Sequence, residues 1–200
     1  MASGKTTVSR MFEACGAEVV DADALVHTLQ GPETKVTKAI ASLFGDDILD
    51  DKGAVCRPKL SAKIRENPSK LKELENIIHP AVRNLEEEAI RKASAQGKKL
   101  VVLDIPLLFE TNAHQLCDAS AWCDCDIDLR RLRALERHHM TTEQFDTLQK
   151  RRIPDDAARR QATYLIPTDG SIECTQDEVE ELALRLKEKT GSAFEKHWQG

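Results

Sequence analysis

Gly4-Lys5-Thr6 has the residue types that close a phosphate-binding loop, and an amphipathic segment follows it directly. A complete loop reads G-x-x-x-x-G-K-[ST], because successive backbone N–H groups must wrap the phosphates and glycine tolerates the close approach. A helix opening here would aim its N-terminal dipole and free N–H groups at the anion, with Ala2, Ser3, Gly4, Lys5, Thr6 and Thr7 around the phosphates. Lys5 would neutralise the terminal phosphates and the Thr6 hydroxyl would reach a magnesium ion. Only three residues precede Gly4, so the opening glycine, one intervening position and the strand that feeds such a loop are missing from the sequence. The expectation is that Met1 is not the true start, that an apolar strand and Gly-Gly lie upstream, and that residues 1–200 alone are unstable.

A second group is acidic. Asp21 and Asp23 flank Ala22 where an apolar run gives way to a helical pattern, the edge at which open α/β sheets bind ligands. One carboxylate could accept a proton from an attacking hydroxyl, and one could cap the helix that follows. Asp104 ends the apolar run 100–105 near the same edge, where a carboxylate often holds magnesium through water. In Ile78-His79-Pro80 the proline cannot donate to the carbonyl of Asn76, which places His79 at a break in a helix, facing a ligand or held structurally. Arg130, Arg133 and Arg137 share one helix face and could clamp phosphoryl oxygens.

The elements that must carry these residues alternate short apolar runs with longer amphipathic stretches, which predicts a parallel sheet covered by helices. Strands are expected at 17–21, 100–105, 121–126 and 164–166. A helix is expected to begin at Gly4, where Val8, Met11, Phe12 and Cys15 recur at spacings of three and four before Gly16, a second over Ala24 to Gln30, and one at the C-terminus from Glu178 to Trp198 along Val179, Leu182 and Leu186. Residues 32–96 read as almost wholly helical and form a subdomain, with breaks near Gly45, Gly53, Pro58 and Pro68. Cys123-x-Cys125 puts two thiols on one strand face, read as buried strand cysteines rather than half a zinc site.

The formal net charge of −5 on 200 residues excludes a global field for nucleic acid or an anionic membrane. Residues 130–160 nevertheless carry nine Lys/Arg against five Asp/Glu, suited to a lid over phosphates. No run approaches a membrane span, and six scattered cysteines in a chain of this size point to reduced thiols, hence a cytoplasmic location. No protein partner is implied.

Ala2-Ser3-Gly4-Lys5-Thr6-Thr7, Val20-Asp21-Ala22-Asp23, Ile78-His79-Pro80 and above all Asp104-Ile105-Pro106-Leu107-Leu108-Phe109-Glu110 together resemble the dephospho-CoA kinases across essentially the whole chain. The resemblance implies a single P-loop NTPase-type α/β domain over 1–200. It has a parallel sheet flanked by helices, a helical CoA-binding subdomain at about 32–96 and a lid at about 130–160, with the first, central strand missing. It further implies ATP as co-substrate, Mg2+, and dephospho-CoA as the acceptor at its ribose 3′-hydroxyl. Asp21 would be the general base, Lys5 and Arg137 would act on the phosphoryl group, Thr6 and Asp104 would serve the metal, and Asp23, Arg57 and His79 would line the acceptor side. Cys56 where the family has Asp, and Ile166-Pro167-Thr168-Asp169-Gly170 at the strand end that shapes the adenine pocket, depart from the family pattern. A kinase of another small metabolite or nucleoside, and a catalytically dead CoA- or partner-binding protein, remain as alternatives.

Overall fold

A computed structural model describes residues 2–138 and 140–198. In chain order it has α1 (Lys5–Ala14), β1 (Glu18–Asp21), α2 (Ala22–Leu29), α3 (Lys35–Phe44), α4 (Arg57–Glu66), α5 (Lys70–Ala95), β2 (Val101–Asp104), β3 (Ala121–Asp124), α6 (Ile127–His138), α7 (Thr142–Gln149), α8 (Asp155–Gln161), β4 (Tyr164–Pro167), α9 (Ile172–Lys187) and α10 (Ala193–His197). The chain divides into two compact units, one formed by residues 1–20 and 92–200 and the other by 21–91.

In the first unit, β1 pairs with β2, and β3 pairs with β4 in parallel, Ala121 opposite Tyr164 and Asp124 opposite Pro167. Among the described residues no ladder joins the two pairs, so the sheet is present as two short ribbons. Helix α1 links them. Its apolar stripe, Val8 and Phe12 with Met11 and Cys15, packs with Val102, Cys123 and Ile166 from the strands and with Val179, Leu182 and Ala183 of α9. Each fully buried side chain of this kind contributes roughly 1.5–3 kcal/mol, whereas an exposed pair such as Arg91–Glu87 contributes roughly 0.2–1 kcal/mol. The apolar stripe therefore decides how α1 lies. Gly16, at φ 86°, lets the chain turn out of α1 and into β1.

The second unit has its own core of Val36, Ile40, Phe44, Ile48, Val55, Leu60 and Leu74. Thr34 opens α3 by accepting the Thr37 N–H at 2.9 Å, and Gly45 at φ 98° closes it. Pro58 stands in the first turn of α4, where its missing N–H is not needed, so it starts that helix rather than breaking one. A single antiparallel bridge, Leu49 to Val55, holds the turn around Gly53.

The expected break at His79–Pro80 does not occur: α5 runs from Lys70 to Ala95 with Pro80 inside it. An internal proline costs about 3 kcal/mol through one lost hydrogen bond and a clash. Burial of Leu74, Ile90 and Ala93 along the same helix outweighs that cost. No helix among the described residues is long and apolar enough to cross a membrane.

Candidate active site

Gly4 adopts φ 82° immediately before α1, a left-handed conformation that glycine supplies without a steric penalty. The first helical hydrogen bond runs from the Val8 N–H to Gly4 O at 3.0 Å. The N–H groups of Lys5, Thr6 and Thr7 therefore precede the helical ladder and remain open to an anion, as at any helix start. Here a lysine and a hydroxyl accompany them. Thr6 is exposed, and its hydroxyl has no hydrogen bond among the described residues.

Asp104 closes β2 and is buried, at 6% exposure. Its two carboxylate oxygens are divided between two residues of α1. Lys5 forms an ion pair with one, and Ser9 Oγ donates to the other at 2.8 Å. Register explains this: Lys5 and Ser9 are four residues apart, so both lie on the face of α1 turned to the end of β2. The phosphate-loop lysine and the strand-end carboxylate expected from sequence are thus brought together, and Ser9 joins them unforeseen because it sat within an apolar stripe. Among the described residues no cluster of three or more His, Cys, Asp and Glu could cage a metal. Magnesium bound with a nucleotide does not need such a cage, since it keeps waters and takes one or two protein oxygens besides phosphate. The exposed Thr6 hydroxyl and the Asp104 carboxylate fit that requirement.

Thr168 also touches the segment that precedes α1. It follows β4, is buried, and donates from Oγ1 to Ser3 O at 2.8 Å. Cys123, next to this region on β3, is held by burial and the nearby Asp104 charge at a thiol pKa of about 12, which makes it an inert core residue. Cys125 lies just past the end of β3 and is buried, while Cys123 on the strand is half-buried, so the pair does not share a strand face as expected.

In the 130–160 region, Arg130 and Arg133 are not free to clamp phosphate. Arg130 is 1% exposed and ion-paired with Asp155 of α8, and Arg133 donates to Thr168 O at 2.9 Å. The shared helix spacing was legible, but the Arg130 side chain on it points inward. The backbone of Arg137 belongs to α6, while its side chain, like that of His138 and all of His139, lies outside the described residues. The stretch after Asp104 has a structural role as well. Phe109 is buried against Trp122 and His114, and Glu110 accepts the Ile153 N–H at 3.0 Å. Arg152 stacks 5.7 Å from the Trp122 ring, and burial pulls its guanidinium down from the ordinary arginine value.

The second unit carries Asp21, Asp23, Arg57 and His79. Asp21 is exposed and caps α2, accepting the Ala24 N–H at 3.1 Å through Oδ1. Asp23 is exposed in the first turn of that helix. Arg57, exposed at the start of α4, donates to Gln30 Oε1 at 3.4 Å, and His79 is exposed on α5.

The family profile for dephospho-CoA kinase (CoaE) matches residues 1–173. A dephospho-CoA kinase of Rhizobium etli is 39% identical over 184 residues, covering 92% of this chain and 89% of that protein. One of Corynebacterium diphtheriae is 34% identical over 193 residues, covering 96% and 94% respectively. Among solved structures, TT1252 from Thermus thermophilus superposes with a TM-score of 0.80 at 26% identity over 93% of both chains. The dephospho-CoA kinase from Campylobacter jejuni has a TM-score of 0.66 at 21% identity over 94% of this chain and 93% of that one, a likeness of fold.

Proposed function

The chain belongs to the dephospho-CoA kinase family, ATP-dependent kinases of dephospho-CoA, and we propose how its own residues divide that reaction. ATP lays its phosphates on the N–H groups that open α1, and Lys5 leaves or shares Asp104 to meet the terminal phosphates. The Thr6 hydroxyl directly and the Asp104 carboxylate through a water would hold magnesium, which would supply positive charge against the triphosphate. Asp21 accepts the proton of the ribose 3′-hydroxyl as that oxygen bonds to the γ-phosphorus. The bond to the β–γ bridging oxygen breaks, and ADP leaves with that electron pair. Arg137 stabilises the moving phosphoryl group from the lid, while Asp23, Arg57 and His79 hold the acceptor.

The observation that carries this reading is the sharing of the buried Asp104 between Lys5 and Ser9, on the helix whose first turn holds Thr6. The exposed Thr6 hydroxyl follows Lys5 directly in the chain, so a lysine, a carboxylate and a hydroxyl meet at one helix start. The cap made by Asp21 is compatible with its role as base, because Oδ1 takes the Ala24 N–H and Oδ2 remains for a hydroxyl. The scattered cysteines and a core that needs no cross-links support action in the cytoplasm.

The test is transfer itself. The full chain with ATP, magnesium and dephospho-CoA should yield coenzyme A, seen as the mass of one added phosphoryl group, and should leave nucleosides unmodified. Phosphorylation of nucleosides with dephospho-CoA untouched would overturn the assignment of the acceptor.

A further inference from the structure

Thr168 is 6% exposed, and its backbone is fixed on both sides. Its N–H donates to Asp124 O at 2.8 Å, and its carbonyl accepts from Arg133 Nη1 at 2.9 Å. The hydroxyl has a single hydrogen and two carbonyl oxygens within reach, Ser3 O at 2.8 Å and Asp124 O at 3.1 Å. Asp124 O already receives the Thr168 amide, so the shorter contact to Ser3 O takes the hydroxyl hydrogen.

That bond has a consequence for the loop. Ser3 C=O and Gly4 N–H belong to one planar trans peptide, so they point in opposite directions. With the carbonyl turned to Thr168, the Gly4 N–H turns away from it, one residue ahead of the open N–H groups of α1. A flipped peptide would remove that donor and present a carbonyl oxygen to an anion. Thr168 also lies close against Gly4, where an added Cβ would stand 3.3 Å from Thr168 Cβ. Arg133 ties the assembly to α6 by reaching both Thr168 O and Cys125 Sγ, the latter at 3.4 Å.

We propose that Thr168 is a positioning residue for the phosphate loop, its hydroxyl holding the Ser3 carbonyl so that the Gly4 N–H faces the phosphates of ATP. The proposal rests on the reading of Gly4–Thr7 as the ATP site. It assigns no contact between Thr168 and the nucleotide, and it makes the hydroxyl, not the methyl, the part that matters.

The experiment measures binding of magnesium-ATP to the full chain by calorimetry, for the parent, Thr168→Val and Thr168→Ser, with melting temperature and the KM for dephospho-CoA alongside. Loss of one hydrogen bond that orients a donor predicts about tenfold weaker ATP binding in Thr168→Val. Thr168→Ser should bind as the parent does, and the KM for dephospho-CoA should be unchanged in both. If Thr168→Val does not fold, Thr168→Ser and Thr168→Ala make the comparison, since both lack the methyl and differ in the hydroxyl. Equal ATP affinity with and without the hydroxyl overturns the proposal, as does a loss that tracks melting temperature and appears equally in serine. ATP binding that depends on the hydroxyl in a chain that leaves dephospho-CoA unphosphorylated upholds Thr168 and sinks the acceptor instead. A parent chain that melts cooperatively yet binds no ATP overturns both.

Discussion

Ser9 Oγ donates a 2.8 Å hydrogen bond to Asp104, so the carboxylate that ends β2 is fastened to the helix that begins with Lys5 and Thr6. The bond is buried, with Ser9 at 8% and Asp104 at 6% exposure. It sets where that carboxylate sits relative to the Thr6 hydroxyl.

Ser9→Ala is therefore expected to act through the metal. Freed from one of its two partners, Asp104 should hold a metal-bound water less well, raising the magnesium concentration for half-maximal activity by about three- to tenfold. Stability should fall by about 1 kcal/mol. A magnesium titration of turnover checks this, and an unchanged midpoint would show that Ser9 only packs.

Asp155 is the partner of an arginine that has almost no contact with solvent. Asp155→Ala leaves the Arg130 charge buried and uncompensated, which should cost roughly 3–5 kcal/mol in denaturant unfolding. Replacing both, as in Arg130→Met with Asp155→Leu, should recover most of that loss. A cost below about 1 kcal/mol for Asp155→Ala would mean that Arg130 reaches water in solution.

Burial raises the Glu86 carboxyl above its ordinary value, and the nearby Arg83 charge only partly opposes it. The folded state therefore holds this proton more tightly than the unfolded chain. The associated stability is fully present below the unfolded value and is lost as pH rises through the folded one. Glu86→Gln should flatten that decline, giving a higher melting temperature than the parent at about pH 7 and no advantage at about pH 4. Melting curves across this range test it, and a parallel offset at all pH values would count against the titration of Glu86.

What the sequence disclosed was mostly local. The apolar spacing of Val8, Met11 and Phe12 marks α1, and the run ending at Asp104 marks β2, because side-chain periodicity and chain-breaking residues act within a few positions. The helix-capping role weighed for the Asp21–Asp23 pair falls to Asp21 for the same reason. The hydrogen bond from Thr168 to Ser3 joins residues 165 positions apart, and no pattern near either one encodes it. Arg130 misled because arginines spaced along one helix face look like a solvated clamp, while Asp155, the partner that holds Arg130, lies 25 positions away. Pro80 misled in the opposite sense, since a local penalty was outweighed by burial along α5.

The proposed base can be tested apart from its structural duty. Asp21→Asn keeps an oxygen for the Ala24 N–H, and asparagine caps helices about as well as aspartate, so stability should hold. What asparagine lacks is a site for the proton of the attacking hydroxyl. The decisive measurement is single-turnover phosphorylation of dephospho-CoA by full-length Asp21→Asn, with magnesium-ATP affinity determined on the same sample. The account predicts a rate lower by about 10² to 10⁴ with ATP affinity nearly unchanged. Transfer at the parent rate would contradict it, and Asp21 would then be a helix cap and nothing more.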